Sequence, residues 1–329
     1  MSDTRFLEYL DIENFKCFEH LKVPDLGRVN LIGGDNNVGK TAFLETGYIN
    51  CTSRNKDFDA FFNALKSTVT FRNYANPEKQ RNASGQFENV ITKGIENFQD
   101  FTLKSNLASI RFQPAKKEFH TIFNVRLEEE ERTFENIAFE VTFITGNHLF
   151  LPSFTLTNDN LAALFDAIQS NDKETFLNES LNFFDARITK FKFNVRPPIP
   201  TCYLAQESYP LASFGGGLSH FIAILCAIWV SKNGQLFIDE IENGIHYTKY
   251  AKLWELIFKI SQEANCQVFA TTHSKECIEA FSRVAEQYDS EQLKYVNFSR
   301  RVDHPEQIVT TVLASVGLET NFELGMDVR

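Results

Sequence analysis

The first fifty residues alternate between apolar and polar positions before they reach a short, fully apolar run. Residues 6–18 alternate with a period of two, which predicts one or two half-buried strands. A turn is indicated by Pro24 and Gly27. The apolar residues 29–32 then predict a short buried strand, and residues 41–50 predict a helix.

The middle of the chain switches from one period to the other. Residues 108–154 return to alternation and predict antiparallel strands that form a β layer. Residues 158–187 have helical periodicity, which predicts a small helical arm packed on that layer. The apolar face of its first helix comprises Leu161, Leu164, Phe165 and Ile168. The proline-rich residues 197–200 interrupt the pattern and are the best candidate for a domain boundary.

The last third contains two apolar runs that end in polar residues. Residues 236–238 predict a strand followed by Asp239 and Glu240, and residues 267–272 predict a strand followed by His273. An amphipathic helix is predicted between them. In an open parallel α/β sheet, side chains at the carboxyl ends of the strands face the ligand crevice. We therefore expect these three polar side chains to share one site.

Residues 34–41 fit the P-loop pattern G-x-x-x-x-G-K-[ST], between the predicted strand and helix that this motif requires. Its glycines let backbone N–H groups turn toward an anion, and the helix N-terminus adds its positive dipole end. Lys40 is then placed to reach the β- and γ-phosphates, and the Thr41 hydroxyl to hold Mg²⁺. The predicted nucleotide-binding residues here are Gly34, Asn36, Asn37, Val38, Gly39, Lys40, Thr41 and Ala42.

Next to a P-loop, the strand that ends in Asp239 and Glu240 has the form of a Walker B motif. Asp239 would bind Mg²⁺ directly or through water, and Glu240 would polarise the water that attacks the γ-phosphate. His273 suits a sensor of the γ-phosphate. We therefore predict Glu240 and His273 as catalytic residues, and Thr41 and Asp239 as metal ligands.

Length, charge and cysteines narrow the class of protein. With 329 residues, 43% of them hydrophobic, the chain can bury a large core in one or two domains. The formal net charge of -10 argues against a general electrostatic hold on nucleic acid or anionic lipid. Six scattered cysteines favour a reducing cytosol, and no run is long and apolar enough for a leader or a bilayer span. We expect a soluble cytoplasmic protein.

Three segments leave alternatives open. The Gly-rich residues 213–217 precede a predicted helix and form either a second anion site or a flexible loop. The basic residues Arg187, Lys190, Lys192 and Arg196 form either a local basic edge or an ordinary solvated face. The helical arm either docks a partner or packs only on its own lobe. Guanine specificity is excluded, because no Asn-Lys-x-Asp motif is present.

The order of these motifs resembles the ABC/SMC-like ATPases, and among them the bacterial AAA-type OLD-like ATPases of the ATP/GTP phosphatase group. The resemblance covers nearly the whole chain. The segments that carry it are residues 14–18, the P-loop at 34–41, 213–217, 239–246, 272–274 and the terminal 324–329.

The resemblance implies an α/β fold: a P-loop ABC-type ATPase head with a mixed central sheet. An antiparallel β layer and a helical insertion would lie between Walker A and the signature loop. We predict residues 1–50 and 201–329 as the ATPase core, with residues 51–200 inserted as the first-lobe β layer and helical arm. The implied ligands are ATP and Mg²⁺.

The resemblance also implies a homodimer or higher homo-oligomer joined through its ATP sites. Ser213, Gly215 and Gly216 of one subunit would face the γ-phosphate held by the other, and residues 243–246 would form a dimer-facing loop. The signature departs from Leu-Ser-Gly-Gly-Gln, because Phe214 separates Ser213 from the glycines and no Gln follows. The first-lobe Gln that senses Mg²⁺ cannot be placed from the sequence.

Three functions follow for this short form without a C-terminal TOPRIM nuclease. In the first, ATP hydrolysis controls a separate effector, a nuclease or toxin, in bacterial anti-phage defence. In the second, ATP holds an oligomeric scaffold that sequesters an effector with little turnover. In the third, a DNA-repair ATPase acts directly on DNA, which the acidic balance of the chain disfavours.

Overall fold

The structure is a computed structural model. It describes residues 5–74, 94–95, 97–117, 120–135, 146–154, 156–194, 198–205 and 207–314. The predicted C-terminal segment 324–329 and Arg196 lie outside these residues.

A six-stranded mixed sheet carries the predicted motifs. Its strands, in spatial order, are β15 (Ile308–Ala314), β14 (Leu293–Arg300), β3 (Val29–Gly34), β13 (Gln267–Thr271), β12 (Gln235–Ile238) and β8 (His148–Leu151). Neighbouring strands are parallel except for β14 and β15, which are antiparallel. The predicted P-loop strand is β3, the Walker B strand is β12, and the strand before His273 is β13. Because parallel strands end at one edge, their functional residues converge there.

A second six-stranded sheet is antiparallel throughout and forms the predicted β layer. Its order is β2 (Phe18–Val23), β1 (Leu10–Phe15), β4 (Phe101–Ser105), β5 (Ser109–Lys117), β6 (His120–Leu127) and β7 (Glu130–Phe134). In β1 the buried Leu10 and Ile12 alternate with the less buried Asp11 and Glu13, as the period of two predicts, and the alternation breaks before the buried Phe15.

The other described elements include a small antiparallel sheet, seven α-helices and four short 3₁₀ helices. The small sheet has the order β11 (Ser208–Pro210), β10 (Ile199–Tyr203) and β9 (Lys190–Asn194). The helices are α1 (Lys40–Thr52), α2 (Phe58–Tyr74), α3 (Asn158–Ser170), α4 (Glu174–Phe184), α5 (Gly216–Val230), α6 (Tyr250–Glu263) and α7 (Lys275–Ala285). Within the described ranges, no helix combines the length and the apolar character that a bilayer crossing requires.

The central sheet separates two hydrophobic clusters. Leu236 and Ile238 of β12 enter the cluster that contains α3 to α7, whereas Phe237 between them enters the cluster that contains α1, α2 and the antiparallel sheet. The same alternation holds along β13, where Phe269 stacks on Phe237 with ring centroids 5.0 Å apart. Burial on both faces explains why these strands read as continuous apolar runs.

The helical arm is confirmed as two helices, but its position differs from the prediction. Residues Leu161, Leu164, Phe165 and Ile168 are the buried residues of α3. They belong to the cluster with α5 and α6, on the face of the central sheet opposite the antiparallel β layer. The apolar face is therefore already used within the chain, and the arm packs on the core helices instead of on the β layer.

Strand pairing crosses the predicted domain boundaries. The strands β1 and β2 lie in the predicted core segment 1–50 but pair in the antiparallel sheet, and β8 lies in the predicted insertion but pairs with β12. The proline-rich residues also differ from a boundary, because Ile199 and Pro200 begin β10 and pair with β9. The period of two in a strand shows which side chains share a face, but it does not show which strands pair. The sequence pattern therefore could not predict these pairings. The division into domains itself stays a prediction.

Candidate active site

The P-loop is shaped by glycines that no other residue could replace without strain. Gly34 ends β3 at φ +126°, and a Cβ there would lie 2.1 Å from the carbonyl oxygen of Phe298. Gly39 precedes α1 at φ +88°, and a Cβ there would lie 2.6 Å from Sγ of Cys17. Asn37 also has a positive φ, of 61°. Such backbone is favourable for glycine and tolerable for Asn.

The side chain of Lys40 contacts the backbone of the P-loop. It is buried, and Nζ donates to the carbonyl oxygens of Gly34 at 2.6 Å and Asp35 at 2.8 Å. Burial lowers the pKa of Lys40, and this effect is opposed most strongly by the charge of Glu242, followed by Asp35, Asp239 and Glu240. The ammonium group is thus held over the loop by neighbours that a phosphate could replace.

Thr41 and Asp239 meet at the predicted metal site. The Thr41 hydroxyl donates to Oδ1 of Asp239 at 3.0 Å, and the Thr271 hydroxyl donates to the same oxygen at 2.8 Å. Burial raises the pKa of Asp239, while the hydrogen bonds from Thr271 and Thr41 act in the opposite direction. A buried carboxylate beside a hydroxyl is a hard-oxygen donor set that fits Mg²⁺.

The donor set also matches the way proteins hold Mg²⁺ with a nucleotide. In the described part of the chain, no group of three or more His, Cys, Asp or Glu side chains is arranged for a metal ion. Mg²⁺ in phosphate sites is usually bound by one or two protein oxygens together with waters and phosphate oxygens. Thr41 and Asp239 would therefore hold the ion only together with a nucleotide, and their role as ligands stays a prediction.

Glu240 and His273, the predicted catalytic pair, lie side by side. Oε1 of Glu240 is 3.9 Å from Nε2 of His273, and the side chains are 42% and 41% exposed. Glu240 has φ 52°, and its N–H donates to the Thr271 hydroxyl at 2.9 Å. Backbone in this region is strained for a residue such as Glu, and strain of this kind is concentrated at functional sites. Both side chains are open to a ligand at the carboxyl edge of the sheet.

The predicted signature residues lie beside the loop that follows β12, and not in the cluster around Lys40 and Asp239. Ser213 belongs to a 3₁₀ turn, and α5 starts at Gly216 after Gly215 at φ +81°. A Cβ on Gly217 would lie 1.8 Å from the carbonyl oxygen of Gly244, so the two backbones are in direct contact. Ser213, Gly215 and Gly216 are exposed.

Sequence reasoning missed two residues of this cluster. Thr271 bridges Asp239 and Glu240, and Glu242 accepts a hydrogen bond from the backbone N–H of His273 at 2.7 Å. The sequence marks these two residues only by their closeness to recognised motifs. A Thr at the end of a strand and a Glu in a loop are both common in proteins and do not by themselves indicate a function. A third missed residue, Arg300, donates from Nη2 to the carbonyl oxygen of Asn37 in the P-loop at 2.9 Å.

The first-lobe Gln that senses Mg²⁺ stays unplaced. Gln113 lies on β5 and donates to Asp100 at 3.0 Å. The first-lobe strand beside Walker B is β8, because the N–H of Asp239 donates to the carbonyl oxygen of Leu151 at 2.9 Å. The residues that follow β8 are Pro152 and Ser153, and neither is a Gln.

The basic edge contains an internal ion pair. Nη2 of Arg187 lies 2.6 Å from Oδ2 of Asp185, and this contact raises the pKa of Arg187 and lowers that of Asp185. In the described part of this segment, the charge is therefore carried by Lys190 and Lys192. This arrangement gives little support to a nucleic-acid surface.

Comparisons with known families and proteins show what the whole chain resembles. A family profile described as "AAA ATPase domain" matches residues 53–278. A curated protein of Helicobacter pylori described as "ATP/GTP phosphatase" is 23% identical over 335 residues, covering 86% of this chain and 89% of that protein.

Solved structures with similar folds include two SMC heads. An SmcHead bound to the C-winged helix domain of ScpA has a TM-score of 0.52 at 11% identity and covers 97% of this chain and 99% of that chain. A Smc head domain with an extended coiled coil, bound to the C-terminal domain of ScpA derived from Pyrococcus furiosus, has a TM-score of 0.50 at 12% identity. That match covers 97% of this chain and 98% of that chain. These similarities confirm the predicted mixed α/β head fold.

Proposed function

The chain belongs to the AAA ATPase domain family, and from this premise we propose that it is a Mg²⁺-dependent ATPase that closes as a homodimer around two composite ATP sites. One observation carries the proposal. The Thr41 hydroxyl and the Asp239 carboxylate are in hydrogen-bond contact, although the two residues are 198 positions apart in the chain. This contact brings the P-loop and the Walker B strand together, which supports one shared Mg²⁺-nucleotide site.

Different residues of the site would serve different steps of ATP hydrolysis. The N–H groups of the P-loop and the start of α1 would bind the phosphates, and Lys40 would exchange its carbonyl partners for phosphate oxygens. Glu240 would accept a proton from the attacking water, and His273 would contact the γ-phosphate. Mg²⁺, when bound, would neutralise charge on the phosphate oxygens.

Dimerisation would explain why the signature residues 213–217 lie away from Lys40 and Asp239 of their own chain. Ser213, Gly215 and Gly216 are exposed and lie beside the loop at Gly244, where they would meet the nucleotide held by a second copy. ATP that binds the closed dimer better than the monomer stabilises the dimer by mass action. Hydrolysis would then release it.

We further propose that opening and closing control a separate effector, a nuclease or toxin, in bacterial anti-phage defence. The resemblance to the OLD-like group supports this part of the proposal. A cytoplasmic location fits the six cysteines, which are scattered along the chain without a disulfide-like framework. Such cysteines are typical of a reducing compartment.

The molar mass of the Glu240→Gln protein, measured in solution with and without Mg-ATP, tests the proposal. Gln cannot act as a base, so the closed dimer should accumulate, and we expect the mass to double with Mg-ATP. Lys40→Ala is the matched control, which should bind no ATP and stay monomeric. A large mass that ATP does not change would favour the constitutive scaffold, and a monomer under both conditions would contradict the composite sites. Unchanged hydrolysis by Glu240→Gln would exclude Glu240 as the catalytic base.

A further inference from the structure

Glu242 has a carboxylate whose two oxygens have different surroundings. Oε1 accepts a hydrogen bond from the backbone N–H of His273 at 2.7 Å. Oε2 is buried and has no hydrogen-bond partner among the described residues. A carboxylate oxygen kept from water without a donor is costly, so its position needs a compensating reason.

The backbone around Glu242 is fixed independently of its side chain. The N–H of Asn243 donates to the carbonyl oxygen of Glu240 at 2.9 Å, and the N–H of Ile245 donates to that of Glu242 at 3.0 Å. These bonds close the turn between the Walker B acids and the partner-facing loop. The Glu242 side chain is therefore free to reach the end of β13, which is 31 positions away.

The N–H of His273 needs such an acceptor, because the β13 ladder has ended. The last ladder residue is Thr271, and the N–H of Thr272 still donates to the carbonyl oxygen of Ile32 at 3.0 Å. One residue later, the Glu242 carboxylate accepts the hydrogen bond that a carbonyl oxygen of a neighbouring strand would otherwise accept. A charged acceptor makes a stronger bond than a carbonyl oxygen does.

We propose that Glu242 is a positioning residue, which holds the backbone of His273 so that its imidazole lies beside Glu240. The inference rests on the proposed role of His273. It adds a third acid to the site, one that acts through the histidine instead of through the metal or the water. The contact also joins the turn that leads into the dimer-facing loop 243–246 to the proposed γ-phosphate sensor, since Glu242 directly precedes that loop and His273 follows the end of β13.

The kinetic test is a double-mutant cycle of Glu242→Ala and His273→Ala, measured as kcat and KM for ATP. If Glu242 acts through His273, Glu242→Ala should lower kcat about tenfold and change KM less than about twofold. In the His273→Ala background the same change should cost less than about twofold, because coupled residues are not additive. Glu242→Gln keeps an acceptor oxygen and should recover most of kcat. Glu276→Ala is the matched control, since that carboxylate accepts from the Ser274 hydroxyl at 2.8 Å.

Hydrogen exchange of the peptide that contains residues 271–276 decides the structural part without relying on turnover. Glu242→Ala should speed its exchange about tenfold, whereas Glu242→Gln and Glu276→Ala should leave it close to wild type. Full additivity in the cycle, or exchange that Glu242→Ala does not change, would overturn the inference. A wild-type chain that does not hydrolyse ATP would instead count against the proposed function, while the exchange result would still decide the role of Glu242.

Discussion

At the scale of single residues, Asp239 forms hydrogen bonds with three other elements, the strands β8 and β13 and the helix α1. Its N–H donates toward β8, and its Oδ1 accepts from Thr41 after β3 and from Thr271 at the end of β13. Thr271 also accepts from the N–H of Glu240 at 2.9 Å. One hydroxyl therefore contacts both Walker B acids. These are Asp239, the proposed metal ligand, and Glu240, the proposed catalytic base.

The contribution of this hydroxyl can be measured by replacing Thr271 with Val, which has a similar shape. We expect kcat for ATP to fall about tenfold and the Mg²⁺ concentration for half-maximal rate to rise, because Asp239 and Glu240 lose a shared partner. Thr271→Ser keeps the hydroxyl and should stay within about threefold of wild type. Equal rates for the Val and Ser variants would show that the hydroxyl has no role in positioning the two acids.

The contrast between Lys40 and Thr271 shows which site residues the sequence reveals. Lys40 lies in a spaced motif with glycines that leave a recognisable pattern. Thr271 is a buried Thr at the end of an apolar strand, and Thr is common in strands for reasons unrelated to ligands. Its role depends on which strand lies next to β13, and only the folded structure shows that neighbour.

At the scale of elements, the start of α7 combines a structural and a proposed functional position. The hydroxyl of Ser274 accepts from the N–H of Cys277 at 3.1 Å, and Ser274 directly follows His273. In α3 the hydroxyl of Thr157 accepts from the N–H of Asn160 at 3.2 Å, in the helical arm. The chain thus offers two helix caps of the same kind in different surroundings.

These caps form a matched pair of variants. Ser274→Ala and Thr157→Ala should each reduce the free energy of unfolding by about 1 kcal/mol, because each exposes one unpaired N–H group at a helix start. Only Ser274→Ala should also lower kcat, since it loosens the segment that carries His273. Chemical denaturation and steady-state ATPase rates check the two parts. Equal effects on kcat would mean that the segment contributes to activity only through overall stability.

Element types were predicted well, but the neighbours of those elements were not. The strand before the P-loop and the Walker B strand were found because short apolar runs adjoin recognisable motifs, and the two arm helices because their helical period is sustained. The pairing of β8 with β12, and of β1 with β4, joins segments about ninety residues apart in the chain. Periodicity carries no information about such long-range pairs, so the predicted boundaries at residues 50 and 200 cut across both sheets.

At the scale of the whole molecule, two buried ring nitrogens make folding sensitive to acid. Burial lowers the pKa of His148 to about 4 and that of His220 to about 4. Nδ1 of His148 and Nε2 of His220 are buried without a hydrogen-bond partner among the described residues.

The sign of the pH dependence follows from these shifts. Unfolded histidine binds a proton near pH 6.5, whereas the folded rings stay neutral down to about pH 4. The stabilisation is present above pH 6.5 and should be lost as the pH falls toward 4, by on the order of a few kcal/mol. Urea unfolding at pH 7.5 and pH 5 measures the loss. His148→Gln and His220→Gln should each flatten it, and unchanged pH profiles in both variants would contradict this prediction.

The contact of Gly217 with Gly244 has a consequence for communication between the two ATP sites of the proposed dimer. Gly244 lies in the dimer-facing loop that directly follows the Walker B acids of its own chain, whereas Gly217 lies in the first turn of α5, whose preceding loop would serve the nucleotide of the second copy. A Cβ at Gly217 would lie 1.8 Å from the carbonyl oxygen of Gly244, so neither loop can move independently of the other. Occupancy of one site would therefore alter the other, and turnover should depend cooperatively on ATP concentration.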